Sequence, residues 1–513
     1  MTESTTTILE FTIAQLQQRY ASGELTAREV TQAYLDRIKE VDGKVKAYLA
    51  VDEEGAYKQA DAIDAKLAAG DDIGLLGGIP IALKDLLCTK GLKTTASSNI
   101  LKEYVPPHDA TAVAKLREHG AIILGKTNLD AFAHGSSTET SDFGPSHNPH
   151  DLRRHPGGSS GGSAAAVSAL ECVAAIGTET SGSIRQPSGL TGIVGIKPTY
   201  GRVSRFGVIS MASSLDCVGP MARTVEDAAL ILQVMAGKDD KDATGVIPPL
   251  GNIVHALAEW RAEGVSLAGM RLGIPKEGWL GRLPENMEKP LQEAVKELEK
   301  LGATVKEVSI PSAKVADAVY AILCPSEVSS NLSRYDGIHY GTSAETSWPE
   351  EVETLEDVYM VSRGNGLGTE AKRRVMTGTY ALSAGYYDAY YKRAAQVRTK
   401  IIREMDQVFQ EVDLLLGSSA PAIADIIGAA ANDPTYGYTA DDFVTYASSL
   451  AGMPAVSVPA GFAEVEDGPA MPVGIQFMAP QLEELRMLKA AEAFETATQN
   501  AEWRARLADP LAN

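Results

Sequence analysis

Cysteine is scarce: four in 513 residues, Cys88, Cys172, Cys217 and Cys324, with no CxxC pair among them. That scatter argues against a disulfide framework and leads us to expect free thiols in a reducing compartment. Basic residues are short as well, 47 against 67 acidic ones, for a net charge of −20. Such a balance favours solubility and argues against a broad phosphate-binding surface, so any nucleic acid would be held mainly by a partner. No apolar run reaches the length of a membrane span, and the alanine-rich stretch 164–170 stops at Glu171. The opening MTESTTTILEF has no basic region followed by an apolar one, so a cytoplasmic protein without a secretion signal is expected. Nucleotide motifs are missing too: there is no GxGxxG, and Ser163 stands where a P-loop needs its lysine.

What is present is the composition of an ordinary globular chain, 44% hydrophobic and 22% charged. Thr26 and Glu29 form a capping box before Val30, Ala33, Tyr34, Ile38 and Val41 at helical spacing. GIPIAL reads as a buried strand ending at Lys84-Asp85. TAVAKLREHGAIILGKTN reads as a helix, a glycine stop at Gly120 and a strand over 121–124. The same grammar returns over 290–310, with Leu291, Ala294, Val295, Leu298 and Leu301 on the apolar face and Gly302 as the stop. MRLGIPK, VDLLLGS, PAVSVPAG and MPVGIQFM are further short strands. Strands alternating with helices predict an α/β fold around a buried sheet.

The chemistry concentrates in HPGGSSGGSAAAV, residues 155–167, with four glycines and three serines. It is too short for a linker and lies between ordered segments. A second loop, GTETSGSIRQPSG, presents Ser183, and the small-residue segment between the loops reads as one helix. Two such loops at one point could pair two hydroxyls. A serine needs a base to become a nucleophile, and no histidine is an obvious candidate. Lys84, ending an apolar strand, can serve if burial disfavours its ammonium form. Main-chain N–H groups of the glycine-rich loop would hold an oxyanion. Taken alone, the same loops could be tight turns.

GGSSGGSAAAV followed by SGSIRQPSGLTGIVGIKPTYGRVS, together with ALKD, resembles the amidase signature family. The resemblance implies an α/β fold with a central mixed β-sheet covered by helices on both faces. It implies one domain over 1–513: a helical segment about 8–70, a signature core about 75–225, and a C-terminal half about 265–505 that completes sheet and pocket. It makes Ser183 the nucleophile, Ser159 the bridging serine after a cis peptide, and Lys84 the base, with an oxyanion hole from Thr180, Ser181, Gly182 and Ser183.

GKTNLDAFAHGSSTETSDFGPSHNP, RFGVISMASSLDCVGPMART and SAGYYDAYY resemble one branch, the glutamine-hydrolysing members of tRNA-dependent amidotransferases. That implies glutamine as substrate and partner subunits B and C in a heterotrimer. It implies tRNA contacts mainly through the partner, ATP and Mg used there, and no cofactor or metal on this chain. Arg374, with Arg373 beside it in register, matches the residue for the substrate carboxylate, and Asp442 the residue for its ammonium. A bidentate arginine suits a carboxylate. The released ammonia would convert Glu-tRNA(Gln), or Asp-tRNA(Asn), to its amide. A stand-alone amidase acting on aryl, acyl or peptide amides is the alternative, and an inactive scaffold protein is a third reading.

Two departures from the family pattern stand out. Glu179-Thr180-Ser181 replaces the usual Asp-Thr-Gly, so the loop's hydrogen bonds must be rearranged, and a left-handed Ser181 would be strained. His147, His150 and His155 crowd nine residues, without metal-site spacing; solvated loop histidines are the expected reading.

Overall fold

The computed structural model describes residues 8–246, 248–278, 283–429 and 443–511. Eleven strands form one sheet in the order β1-β3-β2-β4-β6-β5-β10-β11-β9-β7-β8. The N-terminal half supplies β1 (Tyr48–Val51), β2 (Pro80–Lys84), β3 (Ile122–Thr127), β4 (Ala174–Glu179), β5 (Val194–Lys197) and β6 (Cys217–Ala222). The C-terminal half supplies β7 (Arg271–Pro275), β8 (Thr304–Val308), β9 (Leu414–Ser418), β10 (Ala455–Ala463) and β11 (Met471–Met478). β2 runs parallel to both β3 and β4, and β7 to both β8 and β9; the remaining pairs are antiparallel. The halves meet where Ala455, Val456 and Ser457 of β10 pair with Lys197, Ile196 and Gly195 of β5.

Both faces of this mixed sheet are covered, as the strand periodicity shows. On β9, Leu414 and Leu416 join one apolar cluster and Leu415 the other; on β11, Phe477 and Met478 divide the same way. Strands buried on two faces read as continuous apolar runs, which is why VDLLLGS and MPVGIQFM were visible in the sequence.

The helices follow their sequence signals. In α1 (Ala27–Val45), Thr26 and Glu29 close the capping box, and Val30, Ala33, Tyr34, Ile38 and Val41 are buried. Next come α2 (Thr111–Glu118), α3 (Gly161–Ser168) and α4 (Arg185–Thr191). In α5 (Glu285–Lys300) the buried face is Met287, Pro290, Leu291, Ala294 and Leu298, and Gly302 beyond it is left-handed. Then follow α6 (Ala316–Asn331), α7 (Thr369–Leu382), α8 (Arg393–Glu411), α9 (Phe443–Leu450) and α10 (Glu484–Ala497).

One expectation is corrected. The segment between the two glycine-serine loops is not a single helix: α3 ends at Ser168, Leu170 turns left-handed, and the chain re-enters the sheet as β4. Small alanines and glycines carry no periodicity that separates a short helix from a buried strand. Among the described residues no helix is long and apolar enough to cross a membrane.

Helix α7 sits on α6 without clearance. A Cβ at Gly378 would lie 1.8 Å from the carbonyl oxygen of Pro325. The substitution G378A should therefore destabilise the fold by about 2–3 kcal/mol, while truncation of the exposed Met376 nearby should stay within about 0.5. Denaturant titration checks both; equal midpoints for G378A and wild type would contradict this packing.

Candidate active site

Lys84 is the last residue of β2, held between β3 and β4 and fully buried. Its Nζ lies 2.7 Å from Ser159 Oγ, 2.8 Å from Ser160 Oγ and 3.3 Å from the carbonyl oxygen of Thr178. The Gly158–Ser159 peptide is cis. Steric closeness explains the glycines around it. A Cβ on Gly158 would lie 2.2 Å from Asp130 Oδ2, and one on Gly162 2.5 Å from the carbonyl oxygen of Asn128. The loop is glycine-rich because it is packed, not because it is loose.

Ser183 stands between β4 and α4, with the N–H of Ser160 donating to its carbonyl oxygen at 3.1 Å. The second loop is thereby tied to the residue beside Ser159. The Ser183 hydroxyl makes no hydrogen bond to a described residue, and the N–H groups of Gly182 and Ser183 find no acceptor among the described residues. Lys84, Ser159 and Ser183 thus come to one place from positions 75 and 24 residues apart.

Burial dominates the electrostatics of Lys84. Three carboxylates, Asp130, Asp216 and Glu179, favour its charged form, yet desolvation prevails and lowers its pKa to about 7. Each carboxylate has its own structural task. Asp130 accepts the N–H groups of Ser137 and Thr138 and the Thr140 hydroxyl. Asp216 accepts Thr180 Oγ1 at 2.9 Å and the N–H groups of Met211 and Ala212, and burial raises its pKa to about 6.

A match to the Amidase family model spans residues 29–488. The chain belongs to the amidase family. It is 48% identical over 485 residues to the A subunit of the glutamyl-tRNA(Gln) amidotransferase of Carboxydothermus hydrogenoformans, covering 94% of this chain and 96% of that one. Among solved structures, it resembles the A subunit of the glutamyl-tRNA(Gln) amidotransferase of Thermotoga maritima with a TM-score of 0.75 at 37% identity, covering 95% of each chain. The native peptide amidase of Stenotrophomonas maltophilia gives a TM-score of 0.79 at 32% identity, over 96% of this chain and 97% of that one.

Against the family pattern, the Glu179 departure has a clear local solution. Its Oε2 accepts the N–H groups of Ile184 and Arg185 at 3.0 and 3.1 Å, while Oε1 accepts Arg185 Nε and Nη2 at 2.8 and 2.6 Å. The carboxylate closes residues 179–185 into a ring around Ser183. Ser181 is not among the left-handed residues, so the strain expected for a left-handed serine does not arise. Arg185 extends the ring: it donates to Gln476 Oε1 at 2.6 Å, to Ser448 and Ser449, and to the carbonyl oxygen of Ser181.

For the paired arginines, Arg374 is the inward residue, 1% exposed, with Nε 2.7 Å from Glu370 Oε1. Arg373 shares that carboxylate from a side chain 31% exposed. Asp442 lies outside the described residues. The histidines are not the solvated residues expected: His155 is buried, and all three bond to main chain, His147 Nδ1 to the carbonyl oxygen of Leu152, His150 Nε2 to that of Thr191, while His155 Nδ1 accepts from the N–H of Gly157. Burial lowers the pKa of both His150 and His155 to about 4. Among the described residues no group of three His, Cys, Asp or Glu side chains could hold a metal ion. The four cysteines are free and buried. A cleft of about 920 Å³ lined by residues including Pro290, Phe462 and Trp503 contains none of Lys84, Ser159 or Ser183.

Sequence reasoning missed Ser160, Asp130 and Asp216. Ser160 was legible only as one more hydroxyl in a serine-rich loop. The two aspartates sit in motifs quoted for resemblance, with no spacing to mark what they hold. Removing one partner of the buried Glu179–Arg185 pair strands a charge, so E179A should cost about 3–5 kcal/mol in equilibrium unfolding. A loss below about 1 kcal/mol would contradict the role of this ring.

Proposed function

We propose that this chain is the glutamine-hydrolysing component of a tRNA-dependent amidotransferase, with Ser183 as nucleophile, Ser159 as proton bridge and Lys84 as base. The observation that carries the reading is the fully buried Lys84 amine within 2.7 Å of Ser159, on a loop bonded to Ser183. Relatives named as the A subunit of glutamyl-tRNA(Gln) amidotransferase support glutamine as the substrate.

Burial favours neutral Lys84, and the hydrogen bonds accommodate that form. A neutral amine has two N–H donors and one lone pair. Ser160 Oγ and the Thr178 carbonyl can take both donors, because Ser160 gives its own hydrogen to the Thr178 carbonyl at 3.0 Å. The lone pair is then turned to the Ser159 hydroxyl. Ser183 Oγ attacks the side-chain amide carbon of glutamine; its proton passes to Ser159 Oγ, and the Ser159 proton to Lys84. The open N–H groups of Gly182 and Ser183 support the oxyanion-hole reading, with Thr180 and Ser181 on the same loop. The Lys84 proton returns along the same path to the departing nitrogen, ammonia leaves, and water hydrolyses the glutamyl ester to glutamate.

Arg374 would hold the substrate carboxylate and Asp442 its ammonium. A buried cation has no use in an apolar acyl pocket, which favours this reading over a stand-alone amidase. A scaffold that had lost its chemistry would not need a desolvated lysine beside two serines. Subunits B and C would complete a cytoplasmic heterotrimer, with tRNA, ATP and Mg handled by the partner; the acidic balance of this chain supports that division.

In the assembled enzyme, S183A should abolish glutamine-dependent amidation and leave ammonia-dependent amidation intact. Retained glutamine use would overturn the assignment. Because only neutral Lys84 accepts the proton, kcat/KM for glutamine hydrolysis should rise with pH through an apparent pKa near 7. A profile flat between pH 6 and 8 would argue against Lys84 as the base.

A further inference from the structure

The turn that carries His134 is unusual in backbone and side chain alike. Phe132 and Ala133 adopt left-handed φ of 53° and 63°, and Thr138 one of 65°. Left-handed non-glycine residues cost energy and gather at binding and catalytic sites. The His134 main chain is tied down, its N–H to the carbonyl oxygen of Ala131 and its own carbonyl oxygen to Thr140 Oγ1. Its ring is not: the imidazole is fully buried, and neither Nδ1 nor Nε2 has a hydrogen-bond partner among the described residues. A buried polar group left so is destabilising unless something else satisfies it.

What surrounds the ring indicates what that is. Phe132 covers it, ring centroids 6.1 Å apart. Its turn continues into Ser136 and Ser137. The carbonyl oxygen of Ser136 accepts from Gln186 Nε2 at 3.1 Å, and Gln186 Oε1 accepts the N–H of Gly158 at 2.9 Å. Helix α7 packs against residues 131–133, and the charge of its Arg374 acts on the imidazole. Burial and the charges of Arg374 and Arg373 hold His134 neutral, with one N–H to donate. The ring thus lies on a turn linked through Gln186 to the serine loop, within the field of a buried guanidinium.

We propose that His134 is a substrate-binding residue that donates an N–H hydrogen bond to the α-carboxylate of glutamine alongside Arg374. The inference rests on the reading of this chain as a glutaminase, to which it contributes a second, uncharged donor. A guanidinium supplies charge and a fork of donors; a neutral imidazole fixes the carboxylate's orientation without a second desolvated cation.

The test uses the assembled enzyme, with glutamine and with its analogue in which the α-carboxylate is a carboxamide. H134F should raise KM for glutamine roughly 10- to 100-fold with kcat little changed, the loss expected for a hydrogen bond to a charged group. Its kcat/KM for the carboxamide analogue, whose neutral carbonyl accepts a weaker hydrogen bond, should fall by no more than a few-fold. H134Q, which keeps an N–H donor, should recover KM to within a few-fold. H134M, without a donor, repeats the contrast should the phenylalanine variant not assemble. An unchanged KM in the donor-free variants, or equal losses on glutamine and its analogue, overturns this inference alone. A wild-type assembly that ignored glutamine would overturn the functional reading and this inference with it.

Discussion

Desolvation of one amine is the constraint on which the rest depends. Placing Lys84 at the end of β2, between two parallel neighbours, removes the water that would hold it as an ammonium ion. Three carboxylates oppose this, yet burial prevails. Each carboxylate is itself occupied, Asp130 by the 137–140 turn, Asp216 by the 211–212 main chain and Glu179 by Arg185. Carboxylates already committed to other donors stabilise an ammonium less than free ones would. The proposed proton relay depends on these negative charges being spent on structure.

The glycine-serine loop follows from the same demand. To bring two hydroxyls onto one buried nitrogen, the backbone must pass within contact distance of Asp130 and of the strand end at Asn128, where a Cβ would not fit. Three lines therefore converge in HPGGSSGGS: close packing, a cis peptide and an amine-facing serine pair. A sequence that looks permissive proves to be tightly specified.

Much of this was legible beforehand, and the gaps have physical causes. Long apolar runs such as MPVGIQFM announce doubly buried strands, and β11 spans those residues. Capped helices with periodic apolar faces, α1 and α5, were equally plain. The alanine-rich passage before β4 was not, since residues without bulk leave no period to read. The meeting of Lys84 with Ser159 could be anticipated from resemblance, but Ser160 could not, because its role depends on which oxygen its hydrogen reaches. His134 gave no signal: a lone histidine in a chain of small residues is conspicuous only once its ring is found buried without a partner. Arg374 and Arg373 were distinguishable only by which of them turns inward.

The Glu179–Arg185 ring has a bearing on how such a protein can be divided. Arg185 reaches Ser448, Ser449 and Gln476, 263 to 291 positions downstream. The signature segment holds Lys84, Ser159 and Ser183, yet the loop that presents Ser183 is braced by side chains from the C-terminal half. A fragment that ended after the motif would therefore lack the braces of its own serine loop.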